Sequence, residues 1–548
     1  MSLFYKIVHF IPFFSLLSRI YLIERLMMKV KTPCMTLLLL MVLILPFTGC
    51  RTGKNAGASI TVEVFDRGTD GGKTNPINNA WTDWIQKKVL EDEGIHVTFV
   101  PVPRTEEIQT LNVLLASNSA PDICYTYNSD LITYFSEMGG LFDLAPYVDT
   151  LLKDYDAFLG MDPGIEGERL INRMKDRQTG KLYAIPGRYM YTASQNLFIR
   201  KDWLDKLGLP IPTTKEAFYD ALVAFKEQDP GGVGKDRVIP FTMTVDVRWT
   251  AGIIVDPFID PYLSAQERWI NTVIDRYLLV PGYKEGYRFL NKMFNAGLID
   301  RDFPLYRDDK TLENVLKAGL AGSFAHNWDH IYRDNTRILE DLQKNIPGAQ
   351  LIPIDAIKSV DGLTHKRGSP PTSLYWFIPQ SAKNPEAAIR YANWLARFEN
   401  YHFLQIGQPG VNHAIVNGVP QMIPAAGPWI QNSSGNGDYA FVLNGYDLGD
   451  SELNARMLAN SYAWPPEVIM EAYRISSTNA NSGPFIPAKL LAATPYHQTL
   501  VNKAEVLYSQ SVTARPENFD RVWDDGIKDW LFSGAQAIID ERREKYPQ

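Results

Sequence analysis

The segment between residues 60 and 127 alternates between strand-like and helix-like patterns, and this alternation constrains the fold more than any other feature of the chain. Residues 60–65 alternate apolar and polar side chains, which is typical of a half-buried strand. Apolar residues then recur at helical spacing from 81 to 90, and residues 95–100 form a second strand-like run. A strand, a helix and a strand in this order predict parallel pairing. Residues 108–127 add a further helix and strand, so the sequence predicts an α/β fold.

The N-terminal part of the chain has the pattern of a secretory signal. Lys29 and Lys31 precede an apolar run at 35–46, which is shorter than the ~20 apolar residues that a membrane-spanning helix needs. We therefore interpret residues 27–49 as a signal peptide. Residues 1–26 precede a complete signal, and we interpret them as a misassigned upstream extension.

The signal ends in Phe47-Thr-Gly-Cys50, which resembles a bacterial lipobox. The resemblance implies that Cys50 is lipidated and becomes the new N-terminus, with residues 50–58 as a flexible tether. Two acyl chains anchor a protein stably to a bilayer where one chain is marginal. We therefore expect the protein on the extracellular face of the cell membrane.

Charge and cysteine content narrow the function classes. The whole chain carries −7 and residues 1–49 carry +4, so the remainder carries −11, which disfavours nucleic-acid partners. Cys34 leaves with the signal and Cys50 is expected to be lipidated, so Cys124 has no partner for an internal disulfide. About 500 remaining residues predict at least two domains or lobes.

Six segments of the chain stand in a characteristic order: 116–123, 140–148, 180–186, 198–218, 318–328 and 383–388. Within 198–218, Thr213 and Glu216 have the spacing of a helix capping box. Together the segments resemble the type 1 family of extracellular solute-binding proteins that serve ABC importers, and in particular the large LplA-like lipoproteins of Gram-positive bacteria.

The resemblance implies a two-lobed periplasmic-binding-protein-like fold (type II), each lobe a mainly parallel sheet flanked by helices, with a hinge between the lobes. We expect lobe 1 to comprise residues 59–188 and about 372–412, and lobe 2 residues 189–371 and about 413–548. The implied function is capture of a mono- or oligosaccharide by lobe closure and delivery to the permease subunits. We expect a monomer without a cofactor.

Loops that follow strands are the first candidates for ligand contacts, because open α/β sheets bind ligands beyond the carboxyl ends of their strands. The rule selects the loop after the first strand and the segment after the strand near residue 125. The polar candidates in these loops are Asp66, Arg67, Asp70, Asn128 and Asp130.

Aromatic residues in predicted loops are the second set of candidates, since one face of a pyranose ring is apolar and its hydroxyls take polar partners. The set comprises Tyr189, Tyr191, Trp249, Trp328, Tyr375, Trp376, Trp429 and Trp464. Asn327 and Asp329 flank Trp328 and could bond hydroxyls. The alternative for each aromatic residue is a place in the core.

The segment from Asp229 to Pro240 resembles a calcium loop that some relatives carry, but only Asp229, Gly234 and a shifted Asp236 match that pattern. Calcium takes six to eight oxygen ligands. We expect a turn that has lost its ion, with Asp229 and Asp236 as weak metal candidates.

Two other functions stay open at this point. Neither a His-Glu-x-x-His nor a Gly-x-Ser-x-Gly motif occurs, but a sequence-distant carboxylate pair could serve a surface glycoside hydrolase or polysaccharide lyase. A peptide- or amino-acid-binding receptor on the same fold is the third candidate.

Overall fold

The computed structural model describes residues 57–68, 75–162, 167–333, 335–430, 436–482 and 490–546. The predicted signal, Cys50 and Asp70 lie outside these residues. Residues 57–548 form one compact unit. Among the described helices, none combines the length and apolar character that crossing a bilayer would require.

The strands of the described residues form small sheets. Their bounds are β1 Ala58–Asp66, β2 Ile95–Pro103, β3 Cys124–Thr126, β4 Ile185–Tyr189, β5 Gln195–Arg200, β6 Ile239–Thr242, β7 Ala321–Asn327, β8 Leu351–Ile354, β9 Lys366–Arg367, β10 Thr372–Phe377, β11 His413–Val416, β12 Val419–Met422, β13 Leu443–Asn444 and β14 Ala480–Asn481. Two four-stranded sheets have the orders β13-β4-β10-β3 and β6-β7-β5-β8, and the pairs β1-β2, β11-β12 and β14-β9 stand beside them.

The α-helices surround these sheets. Their bounds are α1 Ala80–Glu93, α2 Glu107–Ala116, α3 Ser129–Glu137, α4 Lys153–Leu159, α5 Lys201–Lys206, α6 Lys215–Gln228, α7 Val247–Thr250, α8 Gly252–Val255, α9 Ala265–Asn271, α10 Tyr283–Asn295, α11 Asp309–Lys317, α12 Ile338–Asn345, α13 Pro385–Leu395, α14 Phe398–Ile406, α15 Ser451–Asn460, α16 Pro466–Ser477, α17 Ala493–Thr513, α18 Phe519–Trp530 and α19 Gln536–Lys545.

The first lobe contains the predicted parallel pair. β1 and β2 run parallel in the register Ala58↔Ile95, with α1 as the connection, and Val62 bridges to Ile123 in parallel. Helices α1 and α13 cover these strands with fully buried side chains that include Val89 and Trp394. The predicted α/β class is therefore confirmed. The expectation of mainly parallel sheets is wrong, because in each four-stranded sheet one strand pairing is parallel and two are antiparallel. The antiparallel pairings are those of β5 and β10, which enter their sheets from the connections between the lobes and not from a βαβ unit.

The second lobe has its own core around the sheet β6-β7-β5-β8. Helices α6, α10, α17 and α18 contribute apolar side chains to this core. At Gly322 in β7, an added Cβ would lie 2.5 Å from Phe225 and 2.9 Å from Trp203, so only glycine lets α5 and α6 approach the strand this closely. Strand β7 thus has a fixed position, and its end carries candidate ligand residues.

The chain passes between the lobes at the β4–β5 and β9–β10 connections and again after β13. The segment 439–443 departs from the boundaries expected from the sequence, which assign it to lobe 2. Phe441 stacks on Tyr125 at 5.7 Å, and β13 pairs with β4 in the first sheet. The reason is that 439–443 is a continuous buried apolar run beside an open sheet edge. Trp429 and Ile430 also pack in the core of the first lobe, against the expected assignment to lobe 2, and the remaining lobe boundaries stay a prediction.

Candidate functional site

Arg67 lies just beyond the carboxyl end of β1 and is fixed by one carboxylate. Its Nε and Nη2 donate to Oδ2 and Oδ1 of Asp438 at 2.6 and 2.8 Å, and Asp438 is buried. Burial alone lowers the pKa of Arg67, but the hydrogen bonds to Asp438 outweigh it, so the pKa lies above its ordinary value. Asp66 is exposed, and its Oδ1 accepts the Gly68 N–H at 3.0 Å. The structure therefore keeps Arg67 charged at the strand end.

Tyr127 and Arg104 form a platform beside Arg67 that the sequence reasoning missed. The Arg104 guanidinium carbon lies 4.7 Å from the Tyr127 ring centroid and 5.0 Å from that of Phe65. The rings of Phe65 and Tyr127 stack at 6.1 Å. Arg104 Nη1 also donates to Glu107 at 2.7 Å. The result is a half-buried tyrosine ring with a cation held against it.

Asn128 begins helix α3, and its amide oxygen is already engaged. This oxygen accepts the N–H groups of Asp130 and Leu131 at 2.9 and 3.2 Å. The Asp130 carboxylate faces the second lobe, with Oδ2 at 3.9 Å from His497 Nδ1. Asn128 therefore stabilises the helix start through its oxygen, while its amide nitrogen has no hydrogen-bond partner in the described part of the chain.

Trp328 and Asp329 follow β7 in the second lobe. Trp328 is 7% exposed and packs edge-to-face on Tyr473 and Tyr462, at centroid distances of 5.4 and 5.8 Å. Asp329 accepts two hydrogen bonds from Arg333, at 2.9 and 2.7 Å, and one from the Tyr462 hydroxyl at 2.7 Å. The oxygens of Asp329 thus have protein partners, while half-buried Asn327 stands beside them.

Four aromatic rings form a continuous row from the crossing between the lobes to Trp328. Tyr189 at the end of β4 packs on Tyr191 at 6.0 Å, and Tyr191 packs on Tyr473 at 6.4 Å, both nearly perpendicular. The Tyr191 hydroxyl accepts the Tyr446 N–H at 3.0 Å. The row continues to Trp328, so it runs from a strand of the first lobe to the wall of the second.

Trp376 and Trp429 lie away from these strand ends. Trp376 is fully buried and packs on Tyr155 and Phe441, because it points to the opposite face of β10 from half-buried Tyr375. Trp429 packs on Trp81 at 4.7 Å within the helical layer of the first lobe. Trp376 is thus inaccessible to a ligand in this arrangement, contrary to the expectation for a site residue.

Two further aromatic candidates have neighbours in the second lobe. Half-buried Trp249 meets His326 edge-to-face at 6.4 Å. Trp464 packs near Tyr332 at 6.1 Å. Trp249 is therefore near the end of β7, beside the residues that precede Trp328.

His326 and His330 stack under the Trp328 segment with ring centroids 3.6 Å apart. Both are buried, and neither nitrogen of His330 has a hydrogen-bond partner among the described residues. Burial, together with the neighbouring His326 and Arg333, lowers the pKa of His330 to about 2. A neutral imidazole thus lies buried two residues after Trp328.

Asp229 occupies a tight turn after α6. Its carboxylate accepts the Val233 N–H at 2.9 Å and the Gly234 N–H at 2.8 Å, while Asp236 is exposed. Within the described ranges, no group of three or more His, Cys, Asp or Glu side chains could hold a metal ion. The Asp229 carboxylate therefore takes backbone amides as its partners.

The strand-end rule could have identified Tyr127, which directly follows β3. No such local signal marks Tyr462 and Tyr473. They belong to the 461–477 region, more than 130 residues after Trp328, and only the fold brings them to its ring.

Known proteins resemble this chain in sequence and in fold. A family model for bacterial extracellular solute-binding proteins matches residues 76–400. The polygalacturonan/rhamnogalacturonan-binding protein YtcQ of Bacillus subtilis is 22% identical over 488 residues, covering 84% of this chain and 86% of its own. Lipoprotein LipO of the same organism is 27% identical over 55% of this chain and 58% of its own. The crystal structure of the alginate-binding protein AlgQ2 superposes with a TM-score of 0.62 at 18% identity, covering 90% and 99% of the two chains, which shows the fold.

Proposed function

Because the chain belongs to the bacterial extracellular solute-binding proteins, we propose that it captures a carbohydrate between its lobes and delivers it to the permease of an ABC importer. Proteins of this family bind substrates for transport. The relative YtcQ, which spans most of the chain, is named as a binding protein for polygalacturonan and rhamnogalacturonan.

The observation that carries the proposal is the pairing of ring faces with polar groups at the strand ends of both lobes. Tyr127 contributes a half-buried ring with Arg104 packed against it, and Arg67 has N–H donors beyond the two that bind Asp438. Across the lobes, the row from Tyr189 to Trp328 supplies further rings. Rings that contact sugar C–H groups and donors that meet hydroxyls fit a saccharide.

Lobe closure would bring these two sets together. The chain crosses between the lobes beside Tyr189, and the aromatic row spans this crossing, so a hinge rotation would move the second lobe's rings toward Tyr127. We propose that the ligand binds in this cleft and that no bond in it is broken.

The proposed location is the outer face of a bacterial membrane, with Cys50 carrying the lipid. The relative LipO is named a lipoprotein, and the family is extracellular. We further propose that the protein acts as a monomer and needs no cofactor.

The test is a binding panel on the full chain and on a Tyr127→Ala variant. Trp328 is a poor first choice, since removing a side chain this buried would cost ~3–5 kcal/mol of stability. We expect one saccharide of a panel with polygalacturonan, rhamnogalacturonan, alginate and fructan oligomers to raise the unfolding free energy, by ~2.7 kcal/mol at 100 times its Kd. Tyr127→Ala should weaken that Kd at least ~10-fold.

The matched control is Tyr262→Ala, which removes a tyrosine ring that is 77% exposed in the second lobe. Its Kd should equal that of the wild type. Stabilisation by oligopeptides alone would favour the peptide-receptor alternative, and shortening of the bound saccharide would favour the hydrolase. An unchanged Kd in Tyr127→Ala would show that Tyr127 does not contact the saccharide.

A further inference from the structure

The first lobe has a second concave surface, a groove of about 860 Å³. It lies between the C-terminal ends of α2 and α3 and includes the loop at 138–140 and residues 380–381. In a βαβ unit the helices run antiparallel to the strands, so their C-terminal ends lie beyond the amino ends of the strands. The groove is therefore at the opposite edge of the lobe from Tyr127 and Arg67.

Four polar side chains line the groove and are available for hydrogen bonds to a bound molecule. Asn112, Asn118, Gln380 and Ser381 line it, and their side chains make no hydrogen bond to another residue within the described part of the chain. Three amides and one hydroxyl thus offer both donors and acceptors to a bound molecule. Backbone bonds hold the frame rigid, including Gln380 N–H to the Gly140 carbonyl at 2.8 Å.

The floor of the groove is apolar and aromatic. Phe135 and Leu115 are each 8% exposed, and Tyr134 packs edge-to-face on Phe135 at 5.2 Å. No charged residue is among those that line the groove in the described structure. An ionic ligand would find no counter-charge here, so the chemistry favours a neutral molecule with hydroxyls and an apolar face.

We propose that this groove is a second binding site for a neutral oligosaccharide, distinct from the cleft between the lobes. A saccharide fits better than an extended peptide, because the groove is walled by helices and offers no strand edge for main-chain pairing. The site would hold part of a polysaccharide at the protein surface independently of the cleft.

The test uses the full chain with four probes: maltohexaose, cellohexaose, hexagalacturonate and hexaglycine. Calorimetry gives the affinities, and hydrogen exchange of residues 134–140 reports occupancy of the groove. At least one neutral hexasaccharide should protect this segment. The double variant Asn112→Ala with Gln380→Ala should weaken that binding at least five-fold, since it removes two amides without touching the core.

The control double variant, Gln421→Ala with Asn460→Ala, removes two amides elsewhere and should leave the binding unchanged. Tyr127→Ala should also leave protection of 134–140 intact, because it acts in the cleft. The proposal fails if neither neutral hexasaccharide protects the segment, if the groove variant binds as the wild type does, or if hexaglycine or hexagalacturonate is the preferred probe.

Discussion

At the scale of single residues, ion pairs decide which groups are left for a ligand. Asp329 receives three hydrogen bonds from Arg333 and Tyr462, although the sequence suggested that its carboxylate binds hydroxyls. Arg67 uses two of its five N–H groups on Asp438, and within the described residues the others have no hydrogen-bond partner. Ligand contacts at the strand ends should therefore come from rings and guanidinium donors more than from carboxylates.

The buried His330 should make the protein acid-sensitive. Its pKa is about 2 in the folded chain and about 6.5 for a solvated histidine, so below pH 6.5 the unfolded chain takes up a proton that the folded chain does not. The contribution of His330 to the free energy of unfolding is thus complete above pH 6.5. It falls as the pH drops, by about 2 kcal/mol at pH 5. Denaturant unfolding at pH 7 and pH 5 measures this loss.

A His330→Phe variant keeps a flat ring against His326 and removes the titrating group. Between pH 7 and pH 5, the free energy of unfolding of this variant should fall by about 2 kcal/mol less than that of the wild type. Parallel losses in the two proteins would show that His330 is not kept neutral by burial.

At the scale of elements, capping side chains set where helices begin. Asn128 caps α3 directly after β3, which fixes Tyr127 and Asp130 on either side of the turn. The predicted cap of α6 was one residue off: Thr214, not Thr213, accepts the Ala217 N–H at 3.2 Å. Two adjacent threonines have the same local signal, and the path of the chain selects one.

The turn at Asp229 should depend on its carboxylate and not on calcium. Asp229→Ala would remove two hydrogen bonds to backbone amides and leave a non-glycine residue at φ 45°, so we expect a loss of ~1–3 kcal/mol. Asp236→Ala, at an exposed position in the same loop, is the control and should change stability by less than ~0.5 kcal/mol. Thermal unfolding with calcium or with EDTA should give the same Tm, whereas a calcium-dependent rise would restore the ion-site interpretation.

At the scale of the whole molecule, the two largest apolar cores of the described residues lie on the two sides of the chain crossings near the proposed binding region. One core surrounds β1, β4 and β10, and the other surrounds β5 and β7. The chain crosses between the lobes near Tyr189 and Tyr191. The candidate residues lie at strand ends next to these crossings. Rigid cores with a narrow connection are the arrangement that permits hinge motion between lobes.

Attachment to the membrane should depend on one thiol. Cys50→Ser removes the acceptor for a lipid, so the protein should move from the membrane fraction to the medium after expression in a Gram-positive host. Cys34→Ser is the matched control, because Cys34 lies within the predicted signal and should not affect anchoring. Membrane association of the Cys50→Ser protein that survives a high-salt wash would exclude Cys50 as the anchor.

The sequence by itself determined the fold class, the family and the strand ends on which the candidate ligand residues lie. These properties follow from local periodicity and from short ordered motifs, and the parallel pairing of β1 with β2 across α1 matches the prediction. Arg67 and Tyr189 were selected as candidates in this way, since each lies at or next to the end of a predicted strand or extended segment.

Only the tertiary structure decided which aromatic rings are accessible and which carboxylates are free. Trp376 and Tyr375 are neighbours in sequence, yet one is in the core and the other is half-buried, because strand pairing sets which face of β10 is covered. Tyr462 reaches Asp329 from 133 residues away, and Asp438 reaches Arg67 from 371 residues away. Contacts at such separations depend on how whole lobes pack, which no local pattern encodes.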